Sequence, residues 1–413
     1  MADQKIRLGI GFATGRKNFR KVLNTYIYSW KESRIPGTEN VSLSLFVAYD
    51  VDYSNTQSTD YTNLTQEVVD VLDEIYFIGK KRILKKSQEL IRQGVLTEAE
   101  AKLVFGTGYA AKRNAVLYAA LESHMDYLLF LDDDEYPLAV TNNRGSALWS
   151  GQYVLPYHLA SIGNADITYG YHCGYISPVP YIQFDEQFSE RDFRRLIGAI
   201  SNDVINWNSI RTIMENDGVT YADTSVLIHK TPEEVPEING CKFISGSNLC
   251  INLTRPERTF PFYNPPGARG EDTFLSTLLG ERTVLRVPCY TFHDGFSAYH
   301  HLLDGVLPIR LNAIGINSGK IVSRFYRACV GWVRYKPLLL YITDRDGYDA
   351  SIRHMTAALD DVLPKVCDHF QRKEFQKLSA ELAHYDKNVK KHYAQFLRVQ
   401  KVWKALLSRL ETL

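Results

Sequence analysis

Over the first 135 residues the hydrophobic positions switch between two periods. Ile6 to Phe12 is a short apolar run closed by Ala13-Thr14-Gly15, and Asn18 to Trp30 then places Phe19, Val22, Leu23, Tyr26 and Trp30 at helical spacing. Val41 to Tyr49 predicts a second strand, Leu64 to Leu72 a helix, and Ile75 to Ile78 a third strand. A helix over Gly108 to Glu122 leads into a fourth strand, Tyr127 to Leu131. Strand and helix in turn predict an α/β fold: a mostly parallel sheet with helices on both faces, and a ligand site beyond the carboxyl ends of the strands.

The pattern changes further along. Lys80 to Gly106 is an insertion that opens with Lys80, Lys81, Arg82, Lys85 and Lys86, which predict a solvated helix face, and Thr97 with Glu100 predicts a capping box. From Ser150 to Tyr290 apolar runs recur at Ile167 to Tyr171, Ser225 to His229 and Phe243 to Leu253, among tyrosines better suited to half-buried packing than to a sugar-receiving wall. After about residue 305 strand signals fade and helices dominate. The last helix sets Val389, Tyr393, Phe396, Trp403, Leu407 and Leu410 near one face, and residues 365 to 413 hold eleven Lys and Arg against five Asp and Glu. Such a basic amphipathic helix is expected to bury its stripe against protein, with self-association or an anionic membrane surface as the other hosts. The expected division is a sheet-bearing domain over 1–304, with halves of about 1–137 and 138–304, followed by a helical domain over 305–413.

Composition narrows the classes. A chain of 413 residues with 45% hydrophobic and 23% charged positions folds around a sizeable core. Its net charge of +1 provides no field to gather nucleic acid, so no nucleic-acid partner is expected. Six scattered cysteines without a CxxC predict free thiols in a reducing compartment. Met1 to Lys5 runs into a strand-like segment without a basic and apolar leader, and no apolar run approaches the roughly 20 residues that span a bilayer. The expected location is cytoplasmic, with peripheral membrane contact as the alternative.

Chemistry concentrates at the exit of the fourth strand, in Leu131-Asp132-Asp133-Asp134-Glu135. Carboxylates delivered together by a buried strand repel one another unless a cation or several donors sit there, and a hard divalent metal is the simplest answer. Asp132 and Asp134, at i and i+2, point the same way from an extended chain and can face one ion and its phosphates. A little upstream, Lys112-Arg113-Asn114 opens a helix whose N-terminus can favour a diphosphate. Downstream, His293 in Thr291-Phe292-His293-Asp294-Gly295 is expected to follow a short strand, Val284 to Cys289, and to complete a metal site suited to Mn2+.

The run from Lys112-Arg113-Asn114 through Leu131-Asp132-Asp133-Asp134 resembles the RN-helix, strand and DxD motif of family-2-like GT-A glycosyltransferases. Three further pieces agree in order. Val47-Ala48-Tyr49-Asp50-Val51-Asp52 resembles the segment with the acidic residue that binds the nucleotide base, Ser245-Gly246-Ser247-Asn248 the turn beside the donor sugar, and Gly270-Glu271-Asp272-Thr273 the acidic segment that supplies the base in inverting members. The resemblance covers roughly residues 5 to 300 and implies a GT-A (Rossmann-like) catalytic domain. It implies donor contacts from Asp50 or Asp52, Arg113, Asn114, Asp132, Asp133, Ser245 and Gly246, with Mn2+ or Mg2+ on Asp132, Asp134 and His293. It further implies Asp272, or its neighbour Glu271, as catalytic base in moving a sugar from a nucleoside-diphosphate sugar to a glycan or glycolipid hydroxyl. A retaining transferase, a sugar-phosphate nucleotidylyltransferase and a non-catalytic glycan-binding protein are the alternatives. Gly11-Phe12-Ala13-Thr14-Gly15-Arg16 matches the nucleotidylyltransferase loop poorly.

Overall fold

The computed structural model of the chain describes residues 5–35, 40–201 and 207–412. Its strands are β1 (Ile6–Thr14), β2 (Val41–Tyr49), β3 (Glu74–Ile78), β4 (Tyr127–Leu131), β5 (Glu135–Tyr136), β6 (Leu138–Asn143), β7 (Ser146–Gly151), β8 (Ile167–Tyr175), β9 (Glu233–Glu234), β10 (Leu249–Asn252) and β11 (Val284–Asp294). Among the described residues nine strands form one sheet in the order β3-β2-β1-β4-β10-β8-β11-β5, with β9 on β11, while β6 and β7 form a separate hairpin.

The sheet is mixed, which corrects the expectation of a mostly parallel one. β3, β2, β1 and β4 run parallel, as the alternating strands and helices predict. β10 enters antiparallel between β4 and β8, setting Leu249 opposite both Phe130 and Tyr169, and β5 and β9 are antiparallel to β11. An apolar run carries no mark of its direction, so a pairing made between distant segments is invisible to hydrophobic periodicity. The predicted 243–253 run shrinks to β10 for the same reason, and β11 extends five residues past Cys289, so His293 lies on a strand and not after it.

The helices are α1 (Phe19–Glu32), α2 (Thr59–Thr62), α3 (Gln66–Val69), α4 (Lys80–Arg92), α5 (Glu98–Phe105), α6 (Tyr109–Glu122), α7 (Val154–Ile162), α8 (Glu190–Ile200), α9 (Trp207–Glu215), α10 (Thr224–His229), α11 (Glu271–Ser276), α12 (Gly319–Thr343), α13 (Tyr348–His369), α14 (Lys377–Lys387) and α15 (Val389–Leu410). The helix expected over 64–72 is only the single turn of α3. The capping box is present: Thr97 accepts from the Glu100 amide, and the Glu100 carboxylate accepts from the Thr97 amide.

Both faces of the sheet are covered. Leu129 and Leu131 of β4 point into a cluster with Phe19, Tyr26 and Trp30 of α1, whereas Leu128 and Phe130 point into the opposite cluster with Val116 of α6 and Phe274 of α11. That second cluster continues without a break into α12 to α15. Trp403 of α15 is 1% exposed and its indole donates to Thr259 Oγ1 at 3.1 Å; the Tyr263 hydroxyl donates to the His392 carbonyl at 3.1 Å. The terminal stripe is therefore buried against this same chain, and the C-terminal helical region shares a core with the sheet instead of enclosing its own. Among the described residues no helix is long and apolar enough to cross a membrane. All six cysteines are free.

Candidate active site

β1 and β4 are parallel neighbours, with Phe12 level with Leu131, so the loops that follow them leave the sheet side by side. The four acidic residues after Leu131 keep the strand's alternation: Asp132 and Asp134 are partly exposed, whereas Asp133 and Glu135 are buried. The two inward carboxylates are held by the scaffold. Asp133 accepts from the Thr14 hydroxyl and lies 3.5 Å from the Arg16 guanidinium. Glu135 accepts from Ser247 Oγ at 2.9 Å and Thr291 Oγ1 at 2.7 Å, with His172 Nε2 at 3.3 Å. Burial would raise Glu135, yet His172 and these donors hold it down to about 2.

The two outward carboxylates have opposite fates. Asp132 Oδ1 is 3.0 Å from Arg113 Nη2, but burial, together with the surrounding acids, pushes it up to about 7. Asp134 pairs with Arg16 and sits 3.4 Å from His293 Nε2; burial is outweighed by these cations, which hold Asp134 far below the usual carboxylate range. Burial works against His293, and the Asp134 charge raises it.

Arg113 ties the remaining pieces together. Its side chain is 3% exposed, lies over the Phe130 and Phe262 rings, donates to the Gly246 carbonyl and has Nε 3.5 Å from Glu271. Gly246 in turn donates its amide to Asp272 Oδ2 at 3.2 Å. A Cβ on Gly246 would lie 3.3 Å from both Arg113 Nη2 and Asp272 Cβ, so a glycine lets the turn reach between them. Asp272 stands in the first turn of α11; burial, with Glu271 beside it, pushes it up to about 6.

At the end of β2, Asp50 accepts from Lys112 Nζ at 2.8 Å, while Asp52 is exposed and donates its amide to Asp50 at 3.1 Å. Of the residues expected to touch a donor, Asn114 is corrected: it is 1% exposed, and its amide serves the Val104 and Phe262 carbonyls and the Phe262 amide. It positions α6 against the 262 segment. Ser245 only accepts from the Ser247 amide at 3.3 Å.

Sequence reading missed three contributors. Arg16 follows β1 at its carboxyl end, where the strand-end rule alone could have nominated it. Tyr53 packs over Gly15 and meets Tyr109 edge to face at 6.0 Å. Nothing in the local pattern marks His172, whose partner Glu135 is reached only through the pairing of β11 with both β5 and β8.

Among the described residues no group of three His, Cys, Asp or Glu side chains is placed to hold a metal ion. Asp132, Asp134 and His293 are of the chemical kind that holds Mn2+ or Mg2+; in this structure Arg113 lies against Asp132, and Arg16 and His293 lie against Asp134. No protein-family model matches the chain, and no curated protein is significantly similar to it.

Proposed function

We propose that this chain is a GT-A-like glycosyltransferase that moves a sugar from a nucleoside-diphosphate sugar to an acceptor hydroxyl with inversion. The observation that carries this reading is the chain of contacts Asp132–Arg113–Gly246–Asp272, which joins four segments at the carboxyl end of β4. Asp50, Lys112, Tyr53 and Tyr109 supply a charged and aromatic end to the same cleft, suited to a base and ribose. At the other end Asp272 serves as base. The acceptor oxygen forms a bond to the anomeric carbon, the carbon–oxygen bond to the diphosphate breaks, and the acceptor proton passes to the Asp272 carboxylate. A single displacement inverts the anomeric centre.

A divalent cation would offset charge on the departing diphosphate. Mn2+ or Mg2+ on Asp132, Asp134 and His293 is part of the proposal. Release of nucleoside diphosphate across a panel of nucleotide sugars is the direct test, and no release with any donor would remove the reading. In that assay EDTA is expected to lower turnover and Mn2+ to restore it; turnover untouched by EDTA would strike the cation from the proposal.

The reaction is also expected to depend on pH through Asp272. A base acts only when ionised, so kcat/KM should be level above about pH 6 and fall tenfold per unit below it. A profile that stays flat through this range would take the role away from Asp272.

A further inference from the structure

Arg324, Arg327 and Arg269 have no carboxylate within ion-pair distance among the described residues. Arg324 and Arg327 stand one turn apart on α12, and Arg269 lies two residues before α11. The Arg324 guanidinium sits 5.5 Å over the Phe296 ring, and its Nη2 is 3.1 Å from where a side chain on Gly295, two residues beyond His293, would begin. Its Nε is buried without a hydrogen-bond partner. The Arg269 stem lies along α12 at Gly331, 3.7 Å from where a side chain there would begin.

Asp134 and three cations, Arg16, Arg269 and Arg327, lie near enough to act on Arg324 electrostatically. Arg16 is already matched by Asp133 and Asp134. Arg269 and Arg327 are exposed, so water screens their repulsion, but the orphaned Nε of the half-buried Arg324 costs free energy unless an acceptor reaches it. Guanidinium groups match phosphate oxygens in charge and in their forked geometry.

We propose that Arg324 and Arg269, with Arg327 at the rim, form a clamp over the cleft that binds a phosphate or diphosphate ester. The clamp deepens the transferase reading and rests on it for the identity of the cleft. The phosphate belongs either to the donor's diphosphate or to a phosphorylated acceptor, and the two sources give different results.

The test is calorimetric titration of the full-length protein with pyrophosphate, then with a nucleoside diphosphate, its nucleoside and a sugar phosphate. Wild type is expected to bind pyrophosphate in a salt-sensitive manner, and R324Q and R269Q each to weaken it about tenfold or more. R324K, which keeps the charge but loses the fork, should fall between. R327Q alters only an exposed rim residue, so its smaller loss of affinity reports on the clamp even if R324Q folds poorly. Weakening of the nucleoside diphosphate but not of the nucleoside supports a donor diphosphate. Weakening confined to the sugar phosphate, added to protein saturated with nucleoside diphosphate, supports a phosphorylated acceptor. Pyrophosphate affinity unchanged in all of these variants, or no binding by wild type, overturns the clamp. A chain that binds pyrophosphate through Arg324 but transfers no sugar would remove the transferase reading alone.

Discussion

Asp272→Asn is expected to lower turnover about 10²- to 10⁴-fold, the usual contribution of a general base, while leaving donor affinity unchanged. Asp272 is partly exposed at the start of α11, with one carboxylate oxygen on the Gly246 amide at 3.2 Å and the other on the Thr273 amide at 2.8 Å. The asparagine keeps the shape and removes the site that receives the acceptor proton. Glu271, whose carboxylate faces Arg113 at 3.5 Å, is the natural control: Glu271→Gln should disturb donor affinity more than the chemical step. Single-turnover rates and calorimetric donor affinity measured on both variants distinguish the two roles. Equal loss of turnover in both would show that neither acts alone as the base, and a product of retained configuration by NMR would exclude direct displacement.

The second large effect concerns stability. Arg113→Ala is expected to cost about 3 kcal/mol, because it removes a buried guanidinium and leaves the Gly246 carbonyl and the Glu271 and Asp132 carboxylates without their donor. The guanidinium is enclosed by two aromatic rings and joins α6 to the loop after β4, the 245–248 turn and α11. Arg113→Lys keeps the charge without the fork and should recover only part of the loss. Urea unfolding with an unchanged slope would report the difference directly. Pairing Arg113→Ala with Asp132→Asn should cost less than the two single losses added together, since the second change removes the charge that the first strands. A strictly additive pair, or a single variant as stable as wild type, would mean that Arg113 does not hold these segments together.

Much of this fold is legible in local pattern. Val41–Tyr49 and Tyr127–Leu131 are strands with the bounds that alternation and flanking turns suggest, and the spacing of Phe19, Val22, Leu23, Tyr26 and Trp30 matches the buried face of α1. The burial of Asp133 and Glu135 and the partial exposure of Asp132 and Asp134 match the alternation expected of an extended chain, although Asp133 and Asp134 form a turn. What local pattern could not supply was the direction and partner of β10, which decide that the sheet is mixed. It also could not foresee how the acidic run is neutralised. Charge repulsion called for a cation at that point, and the fold brings Arg16 from β1 and Arg113 from α6 to it. Asn114 misled for a related reason: its neighbour faces the acids, whereas one step on along the helix the side chain turns into the backbone of the 262 segment.

α12 meets the candidate site at two places along its length. Arg324 lies against Gly295, two residues beyond His293, and Tyr335, eleven positions later, packs its ring on Gly270 at the head of the helix that bears Asp272. At ~1.5 Å of rise per residue those points are about 16 Å apart along one continuous helix. The helix thus works as a gauge rod, fixing the span between Arg324 and the segment that carries Asp272. One residue inserted between positions 324 and 335 would turn one end by about 100° relative to the other, so that only one contact could be kept. The spacing between Arg324 and the segment that carries Asp272 is therefore written partly in the length of a helix that lies outside the strand-end loops.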